Sequence, residues 1–289
     1  MTSKRASLYV VFVFIAGWAF PSEAQFAHSG RTVGELVDEL RDFDASFRAA
    51  VVSTNRPAGA VLIPAAGNTP GAGGTHFRTD LSLINYRTSQ RVEVAWMPSG
   101  ANNCNNPTRI IDLGSGWRYY DDFVGKTLNA SGLGALLIVG VTAAGAVDPN
   151  ARIDAVSRIW TLQPNASGSV SMPFPGVSAS DLSGAVRTYI IGLRHDAQYR
   201  TNVGVVNLDS SGVPQRFVAE IYGLTTQGPG TATFDVPSCS MAQVGVPAGN
   251  WGPLLASVIP QGTPGMWSAY GATVDNLTGD GWIVQAIRE

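Results

Sequence analysis

A chain of 289 residues with 19 basic and 21 acidic side chains carries a formal net charge of −2, and with no basic run anywhere that balance argues against a nucleic-acid partner. A hydrophobic content of 45% can bury a substantial core, and the length suits two domains of ordinary size. The two cysteines, Cys104 and Cys239, lack the CxxC spacing of a zinc or redox motif.

The first stretch reads MTSKRAS, then LYVVFVFIAGWAF, then PSEA. Lys4 and Arg5 precede an apolar core over residues 8–20, and Ser22 and Ala24 are the small residues a signal peptidase requires. The core is shorter than the roughly 20 residues of a spanning helix. The expectation is a signal peptide over 1–24, no membrane span in the mature chain, and a secreted, periplasmic or cell-surface destination. There follows RTVGELVDELRDFDASFRAAVVSTNRP (31–57). Thr32 and Glu35 stand at capping-box spacing, and Val33, Leu36, Val37, Leu40, Phe43, Phe47 and Val51 recur with helical period. This predicts one amphipathic helix over 33–51 and a linker to residue 57. Its stripe either packs on the first domain or supplies an oligomer contact through residues 33–51.

One phrase then occurs twice: HFRTDLSLIN at 76–85 and QYRTNVGVVN at 198–207. Both alternate with period two, the mark of a strand with one buried face. Asn85 and Asn207 close the phrases where a side chain can fold back on its own backbone to start a turn. The correspondence extends to AVLIP (60–64) with YIIGL (189–193), QRVEVAWM (90–97) with QRFVAEIYG (215–223), and residues 153–172 with 267–286. Short strands and frequent turns argue for a β-sandwich in each copy. Arg78 and Arg200 invite a reading as ligands for a carboxylate or a glycan, but their recurrence in both copies favours cross-strand pairing with acids such as Glu93 or Glu220. A disulfide between Cys104 and Cys239 would have to bridge the copies, and the sequence leaves that open.

The tandem placing of FRTDLSLIN, YRTNVGVVN and VDNLTGD resembles exported bacterial proteins of unknown function with tandem immunoglobulin-like β-sandwich repeats. The resemblance covers roughly residues 58–289 and implies a bacterial source and no activity. The expected fold is all-β, with two tandem immunoglobulin-like β-sandwich domains (58–177 and 178–289) preceded by one short α-helix.

Candidate binding residues lie where the copies differ. AAGNTPGAGGTH (65–76) lengthens the first copy by a glycine-rich loop containing Asn68 and His76, without the Gly-Lys-Ser/Thr of a phosphate loop. SGWRYYDDF (115–123) groups Trp117, Tyr119 and Tyr120 with Asp121 and Asp122. Aromatic rings beside carboxylates suit a sugar surface, since rings stack on apolar sugar faces and acids accept hydroxyl protons. The competing reading places Trp117 and one tyrosine over the sandwich core. His28, His76 and His195 are scattered, no GxSxG is present, and DNLTGD (275–280) fits a turn better than a calcium loop. Asp121 and Asp122, if on a strand, would point to opposite faces. No catalytic residue, metal or cofactor is implied. The expected role is a non-catalytic binding module at the cell envelope or outside the cell, with a glycan or an envelope protein as partner. The alternative is an assembly subunit that associates through the helix or strand edges.

Overall fold

A computed structural model describes residues 27–48, 59–71, 74–163, 167–182, 187–225, 228–263 and 265–288. The signal-peptide segment lies outside these residues, as do Val51 and the linker. No helix among them is long and apolar enough to cross a membrane. The architecture is mostly antiparallel β-sheet.

Strand β1 (His28–Thr32) leads directly into helix α1 (Val33–Arg48). The helix starts at Thr32 because the capping box forms: Glu35 Oε2 accepts the Thr32 amide at 2.8 Å, and Thr32 Oγ1 accepts the Glu35 amide at 3.3 Å. Val33, Leu36, Val37 and Leu40 are buried within the chain's own core. That stripe therefore stabilises the first unit, and those four side chains are not available for the oligomer contact considered above.

The first unit continues through β2 (Ala60–Pro70), β3 (His76–Pro98), β4 (Pro107–Tyr120), β5 (Gly132–Val141), β6 (Ile153–Leu162), β7 (Ser169–Pro175) and β8 (Val177–Ser178). At about 3.3 Å per residue, the 23-residue β3 is longer than one sheet is wide, and it serves two. Residues 78–85 pair with β6, residues 91–98 pair with β5, and the β3–β4 register shifts between Asn85 and Ser89. A bulged strand that passes from one sheet to the other is how packed sheets form corners.

In the second unit the same path is broken into separate strands. These are β9 (Thr188–His195), β10 (Tyr199–Asn207), β11 (Gln215–Gly223), β12 (Gly230–Val236), β13 (Ser240–Gly245), β14 (Gly252–Gln261), β15 (Trp267–Asp275), β16 (Gly281–Gln285) and β17 (Ile287–Arg288). Strand β10 pairs with β13 and β15, and β11 pairs with β12 and β14. These match the pairings of the two halves of β3. Asn85 stands opposite Ile153 as Asn207 stands opposite Trp267, so the repeat read from sequence holds in register for these strands, whereas Tyr189 takes the place of Leu62 rather than Ala60, two residues from the sequence alignment.

The recurring phrase is scaffold at two of its shared letters. Thr79 Oγ1 accepts the Gly67 amide at 2.6 Å and donates to its carbonyl, tying β3 to β2; Thr201 Oγ1 donates to the Arg194 carbonyl, tying β10 to β9. Asn85 Oδ1 accepts the Arg87 amide at 2.9 Å and Asn207 Oδ1 the Asp209 amide at 3.0 Å, the expected turn in both copies.

The expected arginine pairs are absent among the described residues. Glu93 is buried against Thr108 and Arg31, Glu220 meets Arg187 and Tyr222, and Arg200 donates to Asn276 at 3.0 Å. The bracing arginines are instead Arg91 and Arg216, each on its cross-strand partner: Asp112 at 2.9 Å and Asp235 at 2.8 Å.

The two units share a seam. Strands β2 and β5 are buried along most of their lengths, because one face packs inside the first unit and the other meets the β10–β13–β15–β16 sheet. Strand β10 divides its residues accordingly: Val203 and Val205 enter the second unit's core, and Val206 joins the first unit's. Gly204 lies opposite Tyr270, and a Cβ there would come within 2.2 Å of that ring. Cys104 and Cys239 form a disulfide across the seam with Cα atoms 5.1 Å apart. Asn103 donates to the Cys239 carbonyl at 3.0 Å and Ser240 to the Pro98 carbonyl at 2.9 Å beside it.

Candidate functional site

The β4–β3–β6–β7 sheet buries one face in the first unit and leaves the other open. Register fixes what shares the open face: Trp117 with Ile84 and Asp154, Tyr119 with Ser82 and Val156, Asp80 with Arg158, and Arg78 with Trp160. Trp117 is 60% exposed and Tyr119 is 45% exposed. Their ring centroids stand 6.1 Å apart at an interplanar angle of 42°. Val156 and Leu162 are also exposed on this face, giving an apolar surface of the kind that marks an interaction site.

Two of the predicted site residues therefore come together, and Trp117 does not cap the core. Tyr120 is the residue that turns inward, edge-on to Phe123 at 5.4 Å, and burial raises its pKa. Asp121 and Asp122 are not on a strand. Asp122 adopts a left-handed backbone (φ 45°) and caps a π-helical turn over Phe123–Thr127, accepting the Gly125 amide at 3.2 Å; aspartate tolerates this conformation through such local bonds. Asp121 pairs with Lys126. Asp122 is largely buried and lies 3.9 Å from Arg78, and Asp121 is exposed beside Lys126. Asn68 and His76 bond to each other at 2.6 Å, and Asn68 donates to the Ala130 carbonyl at 3.0 Å. They brace the β2–β3 hairpin, which the glycine-rich insertion extends.

The carboxylate that serves the aromatic pair is Asp80, which sequence reasoning passed over. It is 4% exposed, accepts the Tyr119 hydroxyl at 2.7 Å on Oδ2 and the Asp122 amide at 3.1 Å on Oδ1, and lies 3.6 Å from Arg158. The bond fixes the Tyr119 ring against the sheet. Burial of the hydroxyl, then the hydrogen bond and negative charge of Asp80, push the Tyr119 pKa up to about 12. The phenol stays protonated and remains a donor at physiological pH.

Sequence reasoning also misses Trp160 and Arg158, and it reads Arg78 as scaffold rather than as a ligand-binding residue. Arg78 and Arg158 place their guanidinium carbons 5.6 and 5.7 Å from the Trp160 ring centroid, within cation–π range. The signal was present as Arg-x-Trp in SRIWTL opposite the FRTD segment, but only strand register shows that these residues meet.

No family model and no curated protein matches the chain. Among solved structures it is similar to Pleurotus ostreatus lectin in its apo form, with 10% identity over 82% of this chain and 89% of that chain and a TM-score of 0.14. It is similar also to the lectin from Pleurotus ostreatus in complex with GalNAc, with 11% identity over 81% and 89% and the same TM-score of 0.14. At that score the likeness carries no argument about fold or ligand.

Proposed function

We propose that this chain is an exported, non-catalytic protein of bacterial origin, built from two tandem immunoglobulin-like sandwiches, that binds glycan through the open face of its first unit. The observation that carries the reading is the exposed Trp117–Tyr119 pair held by Asp80 on a rigid sheet. Two adjacent rings offer the apolar stacking surface a pyranose face requires, and a ring whose hydroxyl is tied down loses little further freedom on binding. An open sheet face suits an extended polymer better than a small molecule enclosed on all sides. Lys4 and Arg5, the apolar run over residues 8–20 behind them and the Cys104–Cys239 bond support export, since disulfides persist in oxidising compartments.

The test is retention of the mature protein on a panel of immobilised polysaccharides, run beside Trp117→Ala and Tyr119→Phe. Retention of the wild type, lost in Trp117→Ala with its thermal midpoint unchanged, supports the reading. Wild-type retention on no polysaccharide, or undiminished retention of Trp117→Ala, rejects it.

A further inference from the structure

We infer that the glycan is acidic, its carboxylate or sulfate groups seated on Arg78 and Arg158 over Trp160; this rests on the glycan reading above. The argument is one of depth on the open face. The Arg78 and Arg158 side chains are 36% and 45% exposed, whereas the acids nearest them, Asp122 and Asp80, are 13% and 5% exposed. At the Trp160 end of the face a ligand arriving from solvent therefore meets rings and guanidinium groups first, while the exposed Asp154 stands at the other end, in the Trp117 row.

The carboxylates of Asp80 and Asp122 are also occupied below the surface. Asp80 already accepts from Tyr119 and from the Asp122 amide, and Asp122 from the Gly125 amide. The guanidinium groups are not similarly engaged. Arg78 approaches Asp122 only to 3.9 Å and makes no hydrogen bond among the described residues, and Arg158 donates to Ser169 Oγ at 3.0 Å and lies 3.6 Å from Asp80. Each guanidinium holds five donors in a planar fork that matches an oxyanion. The cation–π approach to Trp160 uses none of those donors. The Trp160 Nε1 proton is buried without an acceptor among the described residues and lies out of a surface ligand's reach, so it is the exposed guanidinium donors that an oxyanion would meet.

Position within the sheet makes the ligand a chain. Tyr119 and Trp160 lie two strands and four residues apart in register, which is roughly 16 Å between backbone positions. Tyr119 and Arg158 meet at one Asp80 oxygen, at 2.7 and 3.6 Å, whereas a ligand that also covers Trp117 and Trp160, which lie two strands and six residues apart in register, needs several sugar rings.

The experiment measures affinity of the mature protein for polygalacturonate, dextran sulfate, unmodified dextran and poly-glutamate, for wild type, Trp117→Ala, Arg78→Gln and Arg158→Lys. The last keeps a charge above Asp80, guarding against loss of folding, and removes the fork. Expected are binding to either acidic glycan, at least tenfold weaker binding to dextran, and a loss of about tenfold in each arginine variant, the scale of one charged hydrogen bond, with unchanged melting. Preference for polygalacturonate over dextran sulfate would identify carboxylate as the anion, and the reverse sulfate; either result supports the inference. Equal binding of dextran, or arginine variants indistinguishable from wild type, overturns the acidic specificity and leaves the glycan reading standing. Poly-glutamate bound as tightly as the acidic glycans overturns it in favour of a general anion surface. Binding to none of the four overturns both.

Discussion

Trp117 and Met241 occupy equivalent register positions in the two units, opposite Ile84 and Val206 respectively, yet Trp117 is 60% exposed and Met241 is fully buried. The same sheet face is open in the first unit and in the second forms the seam. Truncation should separate the two roles. Met241→Ala should cost about 2–5 kcal/mol, as buried methionines do, and Trp117→Ala should change stability by no more than about 0.5 kcal/mol. Urea denaturation of both variants checks this, and a comparable loss in each would place Trp117 in a packed contact.

The seam also makes Gly204 intolerant of a side chain. An added Cβ would fall 2.2–2.5 Å from atoms of the buried Tyr270 ring, so Gly204→Ala should destabilise by about 1–3 kcal/mol through overpacking. Because the clash is with the distal part of that ring, Tyr270→Leu should recover part of the loss when combined with it. A double-mutant cycle measures the coupling, and strict additivity would contradict the assigned contact.

The Cys104–Cys239 bond closes a loop across a sequence separation of 135. A loop of that length implies roughly 5 kcal/mol in the chain-entropy model, so the Cys104→Ala/Cys239→Ala variant should unfold at a clearly lower denaturant concentration than wild type. If reductant leaves the wild-type midpoint unmoved, the seam holds by packing alone.

The Tyr119 phenol should titrate near 12, against an ordinary value of 10. Since the folded state holds the proton more tightly, the stabilising contribution is full below pH 10 and declines as pH rises from 10 to about 12. Ultraviolet phenolate titration of Asp80→Asn, with Tyr119→Phe to assign the signal, should show the midpoint moving down toward 10, because the mutation removes the adjacent negative charge. An unshifted midpoint would mean that burial alone sets the value.

The duplication was legible because each copy repeats a two-residue alternation and closes it with Asn85 or Asn207, side chains that act on their own backbone. The start of α1 was legible for the same reason: Thr32 and Glu35 are three residues apart and need nothing distant. The candidate face was only half visible. Trp117 and Tyr119 are close in sequence, but Asp80, Arg158 and Trp160 reach them from other strands, and nothing local distinguishes Arg78 on Trp160 from Arg91 on Asp112.

The sequence by itself determined the strands of the repeated phrase, their alternation and their closing turns, and the start of the helix, since these follow from alternation, capping and backbone hydrogen bonding over a few residues. Tertiary structure alone decided which outer face is covered. Alternation reports that a face is apolar or polar, whereas coverage depends on the other unit arriving there. Packing the units brought Cys104 to Cys239, closed the second unit's face over Gly204 and Tyr270, and left Trp117, Tyr119 and the two arginines facing solvent.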